Sequence, residues 1–141
     1  MKTQTQDRKK TLIIIYHSVC HLRGMSEQDR DNLLSGYGAT SSKELNEKQL
    51  LEIIEKLQQD VNLWRRRVMA AVGAWLRSVN REDNLEVIKA IATRAASAKT
   101  FNTITQSELV RVYNEFCRKA KTSTAVSDIK ADELMKQQIM N

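Results

Sequence analysis

Hydrophobic residues recur at helical spacing through most of the chain, and the longest run covers residues 46–79. Steps of three and four residues separate its apolar positions, which are Leu50, Ile54, Leu57, Val61, Trp64, Val68, Val72, Trp75 and Val79. The run contains no proline and one glycine, so the pattern predicts a single continuous amphipathic helix of roughly 50 Å. A helix of that length overruns one small globule, so it either bridges two lobes or bends near residues 59–62.

Shorter amphipathic segments precede the long helix and have recognisable ends. Residues 8–23 predict a first helix, which Gly24 ends in a left-handed conformation. Its expected core positions are Leu12, Ile15, Val19 and Leu22. Ser26 is predicted to cap a second helix, and Asn46 is predicted to cap the long one in a capping box with Gln49.

Further helices are predicted after the long one. Asn80 is expected to cap a helix whose first turn holds Glu82 and Asp83, because acidic residues are favoured there. Thr105 is expected to cap the next helix, which ends in the basic residues 119–121. Residues 122–127 then form a polar linker, and residues 128–139 form a weakly amphipathic C-terminal helix.

The predicted caps indicate an internal repeat. At an offset of 59 residues Asn46 matches Thr105 and Leu50 matches Leu109, whereas at an offset of 54 Ser26 matches Asn80. Each half therefore consists of a helix, a turn, a capped helix, a loop and a second capped helix. The alternative is chance similarity, because amphipathic helices align with one another through their period alone.

These patterns predict an all-α protein of two related three-helix units joined by a long shared helix, with a further C-terminal helix. The expected divisions are residues 1–60, 61–121 and 122–141. The chain contains no proline and only four glycines. This composition argues against a β-sandwich or a doubly wound α/β fold, because both need more turn residues. The chain has only two cysteines, too few for a disulfide framework, and no signal sequence is evident. We therefore expect a cytoplasmic protein.

Positive charge is concentrated in the second half of the chain. Residues 1–62 hold nine basic and nine acidic residues, whereas residues 63–121 hold 12 basic and five acidic ones. A basic excess of this kind is typical of proteins that bind nucleic acid. The alternative is a solvated basic surface whose arginines pair with acids such as Glu55, Asp60 or Glu82.

The densest cationic feature is the run Arg65-Arg66-Arg67, which spreads around the helix and cannot be wholly buried. We expect such residues to bind phosphates, and no residue is identified as a reader of bases. The predicted nucleic-acid-binding residues are Arg65, Arg66, Arg67, Arg77, Arg81, Arg94 and Lys99. Trp64 and Trp75 lie on the apolar stripe, which also suits a coiled-coil seam in a homodimer.

Other chemistry has little support in the sequence. His17, Cys20 and His21 share one helix face and could form a zinc site with Cys117. The candidate is weak, because a zinc site usually takes two ligands from each of two segments and the segment around Cys117 supplies only one. No phosphate-binding loop or nucleophile motif is present, and we expect neither an enzyme nor a cofactor. Nor is any apolar run long enough to span a membrane.

Several short motifs resemble the phage Mu GemA-type regulatory proteins. They are Ile15-Tyr16-His17, Gly24-Met25-Ser26, the segment 37–45, the leucine-rich segment 50–57, Trp64-Arg65-Arg66-Arg67, the segment 91–96 and the segment 109–116. The resemblance covers roughly residues 9–120. It implies a small phage or prophage protein that modulates host gene expression through DNA topology, and it carries no catalytic residues.

Together these features predict a non-enzymatic regulator that contacts DNA, or a DNA-bound host protein, through a basic helical surface. The alternative is a helical protein–protein adaptor or dimeric scaffold that makes no contact with nucleic acid. The direction in which the predicted cations point distinguishes the two, because one exposed face without acidic partners favours DNA.

Overall fold

The computed structural model describes the backbone of residues 2–140 and the side chains of residues 6–124. Within that backbone the protein is all-α. Its helices are α1 (Lys2–Arg23), α2 (Glu27–Ser35), α3 (Glu47–Ser78), α4 (Leu85–Ala95) and α5 (Gln106–Met140). Short 3₁₀ helices, Ser42–Glu44 and Phe101–Thr103, precede α3 and α5. The predicted all-α class is therefore confirmed, and one uninterrupted helix occupies the long apolar run.

The chain divides into two compact units. Unit 1 comprises Met1–Trp64 with Thr105–Ser107, and unit 2 comprises Arg65–Ile104 with Glu108–Asn141. Helix α3 contributes its first part to unit 1 and its last part to unit 2.

Unit 1 buries one face each of α1, α2 and α3. The core contains Tyr16, Val19, Cys20, Leu34, Ala39, Leu45, Leu50, Ile53, Ile54 and Leu57. On α1 the predicted core position Val19 is buried and Leu12 packs against the core, but Ile15 is 39% exposed whereas its neighbour Tyr16 is 1% exposed. The buried stripe of α1 therefore includes Tyr16, Val19 and Cys20, which follow one another at steps of three residues and one.

Tyr16 carries a polar group into this core. Its hydroxyl is buried, and no hydrogen-bond partner for it is found in the described part of the chain. The pKa of Tyr16 is raised to about 12, chiefly by burial and in part by the neighbouring Cys20 thiol. Because the folded state holds the proton more tightly than the unfolded chain does, this group loses its contribution to stability as the pH rises from 10 towards 12.

Unit 2 buries the inner faces of the last part of α3, of α4 and of the first part of α5. Its buried apolar residues are Val68, Ala71, Val72, Leu76, Ile88, Ala92, Phe101, Ile104, Leu109, Val112 and Phe116. Trp75 meets Phe116 edge to face, with 5.4 Å between the ring centroids. Much of the apolar stripe of α3 is therefore buried by packing within each unit.

Several helix ends match their prediction. Ser26 forms a capping box with Asp29 at the start of α2. Asn46 accepts from the Gln49 backbone N–H at 2.8 Å, and the Gln49 side chain accepts from the Asn46 N–H at 3.0 Å. Gly24, which follows α1, has a φ of 72°, in the left-handed region.

Other predicted ends are wrong. Asn80 follows α3 in a left-handed conformation with a φ of 56°, and the residue that caps α4 is Asn84, whose side chain accepts from the Val87 N–H. Asparagine serves both roles, because it is a good N-cap and also tolerates the left-handed region. The break predicted at residues 122–127 is also absent, since α5 continues from Gln106 to Met140. The separate helix predicted at residues 128–139 belongs to α5, and its side chains lie outside the described residues.

Local backbone features recur at a spacing of 59 residues, from the end of α2 onwards. The two 3₁₀ helices begin at Ser42 and Phe101, and α3 and α5 begin at Glu47 and Gln106. Before each 3₁₀ helix, Ser41 and Thr100 are extended, with φ values of −141° and −139°. The offset of 54 proposed for the earlier part is wrong, because the caps of α2 and α4 are 58 residues apart.

The same spacing pairs Gly38 with Ser97. Both residues are left-handed, with φ values of 71° and 54°. In each case the next N–H donates back to the preceding helix, Ala39 to Leu34 and Ala98 to Thr93. A side chain in this region costs roughly 1–2 kcal/mol, whereas glycine adopts it freely.

We therefore expect Ser97→Gly to stabilise the protein by about 1 kcal/mol, measured by urea unfolding. The reverse change in unit 1, Gly38→Ser, is expected to destabilise it by a similar amount. Apart from Gly38 itself and its chain neighbours, no atom of the described residues lies within 4 Å of a Cβ at position 38, so the cost of a side chain there is conformational and not steric. Destabilisation by Ser97→Gly would contradict this account.

Candidate nucleic-acid interface

The seven predicted cations lie in unit 2, but the structure gives them different surroundings. Arg65 is half-buried, and Arg66, Arg67, Arg77, Arg81, Arg94 and Lys99 are exposed. Hydrogen bonds and ion pairs to other residues of the chain identify the cations that stabilise the fold. The cations without such contacts are the candidates for binding a partner.

Arg65 has a structural role. Its guanidinium Nη2 donates to the backbone carbonyl of Asn102 at 2.9 Å. Burial lowers the pKa of Arg65 from its usual value, although an arginine remains charged at neutral pH. This bond holds the loop after α4 against the part of α3 that lies in unit 2, so Arg65 is less suited than its neighbours to bind a phosphate.

Arg77 is paired with an acid. Its Nη1 lies 2.7 Å from the Asp83 carboxylate, in the turn that connects α3 with α4. This hydrogen bond is the largest cause of the lowered pKa of Asp83. Arg81 is exposed in the same turn, beside Glu82 in the sequence. The turn therefore holds an arginine paired with an acid, although the acid is Asp83 and not one of the acids that the solvated-surface alternative named.

Three of the four remaining predicted cations lie near the start of the α3 part of unit 2, at the end of α4 and in the loop after α4. We call Arg66, Arg94 and Lys99 the basic end. Two hydrogen bonds fix its framework: the one from Arg65 to Asn102, and one of 2.7 Å from Arg111 Nη2 to the carbonyl of Ala95. Together they hold the C-terminus of α4, and the loop after it, to α3 and α5.

The side chains of the basic end have no acidic partner within the described residues. Among residues 6–124, no ion pair includes Arg66, Arg94 or Lys99. Asp60, one of the acids expected to neutralise the arginine run, instead lies 3.3 Å from Arg23 within unit 1. Among the described side chains no ion pair therefore balances the charges of the basic end, and the same holds for Arg81 in the turn between α3 and α4.

Arg67 is exposed on α3 and its charge acts on Tyr113 of α5. The pKa of Tyr113 is raised, chiefly by a hydrogen bond with Cys117, and Arg67 opposes this rise. Arg67 is therefore engaged with the α5 side of unit 2 and is not a member of the basic end.

The predicted set omitted the exposed cations Arg118 and Lys121. Both line a groove between α3 and α5. Arg111 was also missed as a structural residue: besides holding Ala95, it lies 2.7 Å from Glu108. The spacing of Glu108, Arg111 and Glu115 on one helix signals such pairing, whereas the bond to Ala95 joins segments that no sequence pattern relates.

The candidate zinc residues have no metal-binding arrangement in the described part of the chain. No group of three or more His, Cys, Asp or Glu residues there is placed to hold a metal ion. Cys20 is buried, and burial raises the pKa of its thiol, whereas His17 and His21 are exposed. A buried neutral thiol is a poor metal ligand, because the thiolate is the form that binds.

Comparison with known proteins yields no match: no protein-family model fits the chain, and no curated protein or solved structure is significantly similar to it. None of the described helices combines the length and the apolar character that crossing a membrane requires.

Proposed function

We propose that the chain is a non-enzymatic regulatory protein of the GemA type that contacts DNA, or a protein bound to DNA, through the basic end of unit 2. The resemblance over roughly residues 9–120 is the basis for a role in modulating gene expression in a bacterial host, in the cytoplasm. The observation that carries the contact with DNA is the exposure of Arg66, Arg94 and Lys99 without acidic partners within residues 6–124.

Exposed unpaired cations favour direct contact with the DNA backbone over contact with an intermediary protein. Each cation that neutralises a phosphate releases condensed counterions, which is favourable at low salt and lost as the salt concentration rises. The contact is expected to be independent of base sequence, because no side chain is identified that reads base edges.

Fluorescence anisotropy with two labelled DNA duplexes of equal length and unrelated sequence tests this proposal. Wild-type protein is expected to bind both duplexes with affinities within about threefold, and to lose about 40-fold in affinity between 50 and 200 mM salt if three phosphates are neutralised. Absence of binding to either duplex at about 50 mM salt would overturn direct contact with DNA. Strong preference for one duplex would contradict contact through phosphates alone.

The second candidate is a helical adaptor or dimeric scaffold without nucleic-acid contact. The groove between α3 and α5 favours it, since its lining contains several small residues that let another helix approach closely. The duplex titration separates the two candidates, because an adaptor of this kind has no reason to bind DNA in a salt-dependent way.

A further inference from the structure

A groove between α3 and α5 lies within unit 2 and has a volume of about 1010 Å³. On α5 its lining extends from Asn114 to Thr124, a distance of about 15 Å along the helix axis, or roughly three turns. Ala71 and Ala74 of α3 and Ala120 of α5 also line it, and such small side chains let a further helix approach closely. A groove of this length suits a helix better than a compact small molecule.

Unit 1 has a groove at the equivalent position. This groove has a volume of about 510 Å³ and runs along α3. Its lining includes Glu55, Gln58, Gln59 and Asn62. At the spacing of 59 residues that relates α3 to α5, these positions correspond to four residues that line the groove of unit 2, namely Asn114, Cys117, Arg118 and Lys121. The groove is therefore a property of the repeated fold and not of one surface alone.

The two grooves differ in charge. Arg118 and Lys121 are exposed, and none of the ion pairs between described side chains includes either of them. At the matching positions unit 1 has the uncharged side chains of Gln59 and Asn62, and its groove also contains the exposed acid Glu55. Unit 2 therefore presents the repeated groove in a form that attracts acidic groups.

We propose that the groove of unit 2 binds an acidic amphipathic helix of a partner protein. The apolar face of this helix packs against the three alanines, and the carboxylates that flank that face pair with Arg118 and Lys121. Nucleic acid fits the groove less well, because a charged phosphate backbone has no apolar face to bury against alanine. No residue of the groove belongs to the basic end, so this binding does not depend on the proposed contact with DNA.

Fluorescence anisotropy of the full-length protein with a labelled peptide tests the proposal. The probe is a peptide of about 20 residues, long enough to form a helix, with leucine and alanine on one face and glutamate along both edges of that face. Wild-type protein is expected to bind it at least about tenfold more tightly than a peptide of the same composition that is shuffled to remove the apolar face. Equal binding of the two peptides, or no binding at about 1 mM, overturns the proposal.

Two variants locate the peptide in the groove. Arg118→Glu/Lys121→Glu is expected to lower its affinity by about a hundredfold, because acids then face acids. Ala120→Phe fills the groove without a change in charge and is expected to lower the affinity by at least about tenfold. The urea midpoint of each variant shows whether the fold is retained. If neither variant weakens binding although both are folded, the peptide binds elsewhere and the proposal is wrong.

A further variant separates local contacts from net charge. Lys48→Glu/Lys56→Glu makes the same change in net charge as Arg118→Glu/Lys121→Glu, at exposed positions of unit 1. Its affinity for the peptide is expected to stay within about threefold of wild type, because it alters only the overall field of the protein. A loss equal to that of the groove variant would show that the peptide responds to net charge and not to the groove.

Other occupants of the groove give different results. If Arg118→Glu/Lys121→Glu lowers the affinity for duplex DNA and leaves peptide binding unchanged, the occupant is nucleic acid. If wild-type protein dimerises in sedimentation velocity and this variant does not, while peptide binding is again unchanged, the occupant is a second copy of the chain. Either result overturns the proposal. The peptide titration contains no DNA, so its outcome is independent of whether the protein binds a duplex.

Discussion

Leu50→Ala and Leu109→Ala are each expected to lower the free energy of unfolding by about 2–5 kcal/mol, since a leucine-to-alanine change in a core loses apolar burial and leaves a cavity. Both leucines are 0% exposed, and they lie 59 residues apart at matching positions of α3 and α5. Urea unfolding followed by circular dichroism is the measurement. A loss of this size corresponds to a midpoint shift of roughly 1–3 M.

Neighbouring exposed leucines supply the controls for this prediction. Leu51 is 53% exposed in unit 1 and Leu85 is 57% exposed in unit 2. Their replacement by alanine is expected to change stability by less than about 1 kcal/mol. If Leu109→Ala costs no more than Leu85→Ala, then Leu109 does not occupy the core of unit 2 and the matched packing of the two helices is wrong.

The sequence predicts the helices of this fold well because burial and capping are encoded locally. The apolar steps of three and four residues identify α3, and Ser26 and Asn46 begin helices through contacts three residues away. Asn80 was misassigned because asparagine suits both the start and the end of a helix, and the choice depends on the backbone around it. Residues 122–127 have the composition of a linker because serine and threonine have weak helix propensity, and the continuing helix α5 overrides that propensity.

The candidate site was less predictable. Charge counting located the basic excess in the second half of the chain, but it treated every cation alike. Arg65 binds a carbonyl 37 residues away, and Arg77 pairs with an acid across a turn. Contacts of this kind arise from tertiary packing and leave no periodic signal, so the sequence cannot separate them from the exposed Arg66, Arg94 and Lys99.

The largest functional effect is expected from Arg66→Glu/Arg94→Glu/Lys99→Glu. We expect this variant to lower the affinity for duplex DNA by about a hundredfold or more at 50 mM salt, because three phosphate contacts become repulsive. All three side chains are exposed, so the urea midpoint is expected to stay close to that of wild type. Fluorescence anisotropy with a labelled duplex measures the affinity.

A matched variant in unit 1 separates local contacts from net charge. Lys43→Glu/Lys48→Glu/Lys56→Glu changes the net charge by the same amount, at exposed positions of a unit with little net charge. Only the overall field of the protein changes in this variant, so its affinity for the duplex is expected to fall by less than about tenfold. Equal losses in the two variants would assign binding to net charge and remove the special role of the basic end.

The salt dependence of duplex binding tests the central claim most directly, because its slope counts the phosphates that the protein neutralises. For the wild type, a plot of log K against log salt concentration is expected to have a slope of about −2.7 or steeper. For Arg66→Glu/Arg94→Glu/Lys99→Glu the slope is expected to be shallower by about 2.7, while the unit 1 variant keeps the wild-type slope. Parallel lines for the wild type and the basic-end variant would show that Arg66, Arg94 and Lys99 do not contact the DNA backbone.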